Sequence, residues 1–297
     1  MFTAIVIGAL SASALLQQTD TTVSTNGASR LALENFRGEV VVRTWNRDAV
    51  QIQADHPTSR YIDIDRHGST IDVEAEAERG MGFAGSVDFR LTVPEGMAVS
   101  IEGMAVEVDV QGAVGEVDIS TIHGSISLVG GRGKISLESV NGEILVEGAE
   151  GNIHVTGVAG GVTLRDCTGD IMVEAVGGSV AMQGIRSRDI EAGTVGGTLR
   201  FEGELQDGGI YTFGTHGGQI WLYLPTETNA MIEAITLAGG IEIDFPGAPS
   251  EPTRNRGIPG LSQKEISFQL GDGSARVEVE TFGGTIHILR AEGGGGR

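Results

Sequence analysis

The stretch GEVDISTIHGSISLVGGRGKISLESVNGEILVEGAEGNIHVTGVAGGVTLRDCTGDIMVEAVGGSVAM, residues 115–182, decides the fold. Glycine returns every nine residues: Gly115, Gly124, Gly133, Gly142, Gly151, Gly160, Gly169 and Gly178. Two residues after each glycine stands Val117, Ile126, Ile135, Ile144, Ile153, Val162, Ile171 or Val180. A second apolar residue follows two further on, from Ile119 and Leu128 to Val173 and Met182. A fixed nine-residue period is the signature of a stacked repeat, and the alternation inside each unit is that of a strand.

A second period lies within the first. One corner position is large on alternate units (Ile122, Val140, Val158, Val176, Val195) and small on the others (Ala113, Gly131, Ala149, Cys167). The repeat is therefore about 18 residues, two unlike half-turns. This predicts an all-β, parallel β-solenoid, a flattened β-helix or β-roll, with one corner packing bulkier side chains than the other. The glycines and apolar positions are read as facing inward. The outer columns are Asp118, Ser136, His154 and Met172 on one face, and Ser127, Leu145, Thr163 and Ala181 on the other. Four turns are perfect; a wider zone makes about six, a rod ~30 Å long.

Working outward, 27–97 reads as an irregular β N-terminal region and 98–244 as the solenoid repeats. Residues 245–264 read as a Pro-rich mobile loop, since 245–263 holds four of the seven prolines. Residues 265–290 read as a C-terminal hairpin and cap, with Asp272-Gly273 in the turn, and 291–297 as a flexible tail. Residues 1–16 form an apolar run rich in small residues, which fits a signal peptide although no Lys or Arg precedes it. The expected location is outside the cytoplasm: periplasm, outer-membrane surface or extracellular space. No other segment is apolar and long enough for a helical transmembrane span.

The 297 residues include 47 glycines but only 7 prolines, which excludes collagen. With 40% apolar residues in a periodic pattern, the chain is not disordered. A net charge of −20 excludes nucleic acid as a partner and favours solubility. The one cysteine, Cys167, excludes an internal disulfide framework and reads as a buried inert thiol.

Catalytic signals are absent. A calcium-binding roll would place Asp where this chain has Ile135 and its equivalents. The six histidines, His56, His67, His123, His154, His216 and His287, show no ligand spacing and read as surface or corner residues. The two tryptophans, Trp45 and Trp221, flank the perfect repeats and leave no aromatic platform over them. No catalytic, cofactor-binding or metal-binding residue is assigned, no cofactor is expected, and the binding residues stay open.

Several motifs in order carry a resemblance. Asn35-Phe36-x-Gly38-x-Val40-x-Val42 is followed by Trp45, then a Val93-Pro94-x-Gly96 turn, Ser139-Val140-x-Gly142-x-Ile144-x-Val146 repeats, and a closing Thr281-Phe282-Gly283-Gly284-Thr285-Ile286-His287-Ile288. Across 30–290 the chain resembles the bacterial "putative adhesin" family of β-strand repeats, domain-of-unknown-function family 4097. The resemblance implies a β-solenoid envelope protein and brings no site residues; a non-enzymatic role with an envelope protein or polysaccharide as ligand is the expectation. Three roles follow as expectations: an adhesin-like or scaffold module, a carbohydrate-active β-helix enzyme, or a self-assembling scaffold.

Overall fold

In the computed structural model, residues 16–77, 85–112, 114–249, 254–258 and 261–291 are described. The first strands are β1 (Leu16–Ser24), β2 (Arg30–Trp45), β3 (Ala49–Pro57), β4 (Arg60–His67), β5 (Thr70–Ala77), β6 (Asp88–Pro94) and β7 (Ala98–Gly112). The repeats supply β8 (Val117–His123), β9 (Ile126–Gly130), β10 (Arg132–Asn141), β11 (Ile144–Glu147), β12 (Glu150–Gly157), β13 (Val162–Arg165), β14 (Thr168–Ala175) and β15 (Val180–Ile185). Then come β16 (Asp189–Thr194), β17 (Leu199–Gly203), β18 (Ile210–Thr215), β19 (Ile220–Leu224), β20 (Ala230–Thr236) and β21 (Ile241–Asp244). The last are β22 (Arg254–Ile258), β23 (Leu261–Leu270), β24 (Ala275–Thr281) and β25 (Ile286–Arg290).

These strands build the expected parallel solenoid. Ile135 pairs with Val117 on one side and Ile153 on the other, and Ile144 pairs with Ile126 and Val162. Each pairing is an 18-residue step in register, which stacks identical positions one above another. Val117, Ile119, Ile135, Leu137, Ile153 and Val155 from one sheet, and Ile126, Leu128, Ile144, Val146, Val162 and Leu164 from the other, fill a closed apolar core. Ile135, in the slot where a calcium roll carries Asp, is fully buried. The outer columns run as read: Asp118, Ser136, His154, Met172, and Ser127, Leu145, Thr163, Ala181.

The rod is longer than the periodicity shows. In space its parallel rungs run β5/β6, β2, β7, β8/β9, β10/β11, β12/β13, β14/β15, β16/β17, β18/β19, β24/β25 and β20/β21, eleven in all. At ~4.8 Å per rung this spans ~48 Å, not ~30 Å. The irregular N-terminal region 27–97 also contributes rungs to the same stack, β2, β5 and β6, beside the antiparallel β3 and β4. It hid because β2 lies between β6 and β7, so its neighbours are distant in sequence and no fixed spacing records them.

The C-terminal end mirrors this. β24 is inserted between β18 and β20, and β25 between β19 and β21. The hairpin expected around Asp272-Gly273 is replaced by a wider device. β23 and β24 pair with opposite edges of β20, antiparallel and parallel. Asn229, just before β20, holds the turn: its Oδ1 accepts from the Asp272 amide (3.2 Å) and its carbonyl from the Ala275 amide (3.1 Å). The segment read as a Pro-rich loop contains β22 and the start of β23, which pair antiparallel. Both strands fall outside its prolines, where every backbone donor is present.

Two side-chain directions differ from the sequence reading. The glycines do not face inward. A Cβ on Gly142 would lie 2.0 Å from the Gly124 carbonyl oxygen of the neighbouring rung, so the position points along the rod axis. The small corner is inward as read: Ala149 and Cys167 are buried. The bulky corner is not. Its interior is filled by hydroxyls one residue earlier, at Thr121, Ser139 and Thr194. Thr194 Oγ1 donates to the Gly178 carbonyl (2.8 Å) and accepts from the Gly197 amide (3.2 Å). The hydroxyl closes the corner, and the β-branched residue after it is turned to solvent.

Candidate functional site

That outward corner is the outstanding surface of the molecule. Register places Asn35, Gly103, Thr121, Ser139, Gly157, Ala175, Thr194, Thr215, Thr281 and Thr236 one above another. The next residue on each rung forms a ridge: Phe36, Met104, Ile122, Val140, Val158, Val176, Val195, His216, Phe282 and Leu237. Only His216 is not apolar, and its ring stacks on Phe282 with centroids 4.8 Å apart. From Met104 on, the apolar members are 37–52% exposed, Val158 least and Val195 most. Together they offer roughly 600 Å² of apolar surface in a continuous line, the size at which a patch signals function.

Two rows flank the ridge. On the first sheet the outward residue two positions earlier is Glu34, Glu102, Ser120, Glu138, Thr156, Glu174, Gly193, Gly214, Glu280 or Ile235. This row holds five carboxylates and no lysine or arginine. On the second sheet Glu39, Glu107 and Glu143 add acidity near the same end, against Arg37. The ridge is thus apolar with an acidic margin.

At its β2 end the ridge opens into a pocket of about 420 Å³. Phe36, Met104 and Ile122 form its apolar floor; Glu34, Glu74, Glu76 and Glu102 stand around it, with Asn35 and Ser120 in the wall. Glu74, Glu34 and Glu102 occupy matching positions on three successive rungs. Partial desolvation, then the charges of Glu34, Glu76, Asp63 and Asp72, raise the Glu74 carboxyl above its ordinary range. Tyr61 donates its hydroxyl to Glu76. Asn35 is buried (5% exposed) and donates through Nδ2 to the Val87 carbonyl (2.8 Å), leaving Oδ1 without a partner.

A second groove lies on the opposite sheet near the C-terminal end. Trp221 stacks on His287 (3.7 Å between centroids), and Arg200 lies over Tyr223 (4.0 Å). Arg200 pairs with Glu202 (3.2 Å), Arg290 with Asp244 (3.1 Å) and His287 with Glu242 (3.0 Å). These rings and charges engage one another in a ladder across the C-terminal rungs, although His287 Nε2 is buried without a hydrogen-bond partner.

The other residues singled out in the sequence are dispersed. His56 is buried, against the surface reading, and bonds Thr19 Oγ1 (3.0 Å) and the Pro57 carbonyl (3.1 Å). His287 is likewise buried. His67 faces Asp72 (3.1 Å), His154 faces Thr156 (3.3 Å), and His123 is exposed in a corner. Cys167 is fully buried; burial pushes its thiol up, and its Sγ donates to the Arg165 carbonyl (3.3 Å). Trp45 ends β2 and donates to the Ala49 carbonyl (2.7 Å). Among the described residues no group of three or more His, Cys, Asp or Glu is placed to hold a metal ion. Among them, too, no helix is long and apolar enough to cross a membrane. The apolar run of 1–16 lies outside the described residues except Leu16, which opens β1, and 292–297 of the tail lies outside them as well.

Neither a family model nor a curated protein matches the sequence. Solved structures do. The chain is similar to a "putative adhesin" from Parabacteroides merdae ATCC 43184, with 8% identity, TM-score 0.51, and coverage of 93% of this chain and 97% of that one. It is similar also to a "putative adhesin" from Parabacteroides distasonis ATCC 8503, with 10% identity, TM-score 0.50, and coverage of 92% and 97%. At such identities the likeness is one of fold.

Proposed function

We propose that this chain is a non-catalytic, exported binding module, adhesin-like in role, that holds an envelope or surface partner along the corner ridge. The observation that carries the reading is the line of exposed apolar residues from Met104 to Leu237, interrupted only by His216 stacked on Phe282, on a closed core. A corner position costs nothing when polar, because water solvates it. Repeating Ile, Val, Phe and Leu there, rung after rung, exposes surface that a partner would bury at about 25 cal/mol per Å². The apolar N-terminal run, and the names of the proteins that share the fold, support export.

The reaction classes that need a cleft with converging groups find no such constellation on the described surface, and the acidic margin is a charge pattern rather than an acid–base pair. The test is attachment of the purified protein to envelope preparations of its host, together with cell fractionation. The triple variant Val158→Ser, Val176→Ser, Val195→Ser is expected to stay folded and lose attachment. Residence in the cytoplasm, attachment unchanged in the variant, or new reducing ends released from envelope polysaccharide would each overturn the reading.

A further inference from the structure

From the β12/β13 rung to β20/β21 a shelf of very small residues runs beside the ridge, and the packing of the rod explains only half of it. Each ridge residue there is followed by Ala159-Gly160, Gly177-Gly178, Gly196-Gly197, Gly217-Gly218, Gly283-Gly284 or Ala238-Gly239. The second member of each pair is demanded by packing, since its Cβ would meet neighbouring backbone at 2.0 Å or less. The first member is not. Gly177, Gly196, Gly217 and Gly283 are exposed and lie outside the left-handed region. A Cβ on any of them would stand 3.4–3.8 Å from its nearest neighbour, an ordinary contact. Glycine at such a position is less stable than alanine and gains nothing within the rod. What it leaves is bare backbone open to close approach from outside. On the earlier rungs the same position is Arg37, Ala105, His123 or Asn141, so the shelf is confined to one stretch. The approaching partner is not held by hydrogen bonds to these glycines, because their four amides already donate to carbonyls of the adjacent rung (2.8–3.0 Å). Nor is it held by charge. Residues 156–161 and their equivalents on the other five rungs contain two carboxylates, Glu174 and Glu280, and no lysine or arginine. Yet 20% of the chain is charged and its net charge is −20. Both carboxylates lie on the far side of the ridge from the shelf. The partner therefore brings apolar protrusions, and to meet six rungs in step they repeat at the ~4.8 Å rung spacing. The ridge of a second copy is such a surface.

We propose that two copies of this chain associate side by side along these six rungs. With a two-fold axis parallel to the rods, Val158, Val176, Val195, Phe282 and Leu237 of each copy lie on the glycine shelf of the other. Such a pair is closed and does not propagate. Six rungs at ~4.8 Å and six residues at ~3.3 Å give roughly 500 Å² on each copy, about 1,000 Å² in all, the lower limit for a specific pair. Association is therefore weak in solution and strengthened where copies are crowded on an envelope. The proposal rests on the ridge being the binding face, and names the surface partner as a further copy of this chain.

Sedimentation equilibrium of the whole protein, from low micromolar to near-millimolar concentration, should show a monomer–dimer equilibrium. Gly196→Gln with Gly217→Gln puts long side chains on the shelf, where the first carbon of each has room. The double variant should melt at or above the wild-type temperature and stay monomeric throughout. A wild-type protein that is monomeric at every concentration, or a dimer that survives the double substitution, overturns the proposal. A double variant that melts well below the wild type does so too, since the glycines would then serve the rod itself. Envelopes of host cells lacking this chain should fail to retain the purified protein. Retention there that Val158→Ser, Val176→Ser, Val195→Ser abolishes leaves the ridge reading standing and removes the second copy as its partner. Retention untouched by that triple variant, with self-association lost, sinks the ridge reading alone.

Discussion

Gly142→Ala tests the solenoid's packing at a single atom. The added Cβ would lie 2.0 Å from the Gly124 carbonyl oxygen, 2.4 Å from its carbon and 2.9 Å from the Ser125 nitrogen. All three are backbone of the neighbouring rung, so no side chain can turn aside. Ordinary contact requires the rungs to part by more than 1 Å, roughly. Two hydrogen bonds bridge the rungs at this point: Ile126 N–H to the Glu143 carbonyl (2.9 Å) and Ser139 Oγ–H to the same Gly124 carbonyl (3.0 Å). Losing both at about 1 kcal/mol each, with about 1–3 kcal/mol of overpacking, gives about 3–5 kcal/mol. Gly142 does not sit in the left-handed region, so conformational strain adds nothing. Valine should cost only slightly more than alanine, because the first carbon makes the clash. Gly214→Ala is the internal control, a glycine in β18 with open space where a Cβ would stand, expected within about 1 kcal/mol of wild type. Urea unfolding by circular dichroism gives the ranking, and hydrogen exchange at the Ile126 and Ile144 amides locates the damage. A Gly142→Ala protein as stable as Gly214→Ala would refute the reasoning.

Thr194→Val keeps the shape of a buried corner but strands the Gly178 carbonyl and the Gly197 amide, and should cost about 1–3 kcal/mol in urea unfolding. Glu74→Gln should stabilise the protein slightly at neutral pH and not below the ordinary carboxylate range. The sign follows from the raised carboxyl: the folded state holds the proton more tightly, so Glu74's contribution is present in acid and lost as pH rises through its folded pKa. The effect is small because Glu74 is exposed, and thermal melts from pH 4 to 7 would show it. Cys167 should resist iodoacetamide in the native protein and react on denaturation, measured by mass shift; fast native labelling would contradict its burial. Glu143→Gln, an exposed change beside Gly142, should alter stability by no more than about 0.5 kcal/mol.

The repeat was legible because its physics is local. A parallel turn with 18-residue register prints the same requirement on every rung, so Ile135 and Ile153 announce their pairing through spacing alone. The same logic failed for β2, β5 and β6, and again for β20 and β24, where spatial neighbours are set by insertion rather than by period. Corner orientation was misread for another reason. Bulk suggested burial for Val140 and Val176, but the inward slot was already filled by Ser139 or left to a small residue such as Ala175, and one corner cannot point two successive residues inward. Had the hydroxyls at 121, 139 and 194 been read as turn-closing groups rather than as small residues, the outward direction of their neighbours would have followed. The pocket was beyond reach, since Glu34, Glu74 and Glu102 meet only through the insertion of β2.

The two insertions also bear on how the rod can be used. A bare parallel stack would end in unpaired rungs and add further copies end to end. Here the excursion at each end supplies both an outermost rung and an antiparallel cover: β4 on β5 and β3 on β6 at one end, β23 on β20 at the other. Beyond these covers β1 pairs antiparallel with β3 and β22 with β23, so the outermost strands alternate in direction where the rungs do not. β4 also carries Asp63, Asp65 and Arg66 outward, charges that discourage a further strand. At the other end, among the described residues, β21 pairs only with β25, leaving an edge four residues long that ends in Asp244. End-to-end growth is therefore opposed by the charges along β4 at one end and by the shortness of β21 at the other. What remains continuous, apolar and uncovered is the side of the rod, so the geometry favours partners that lie along it over copies that extend it.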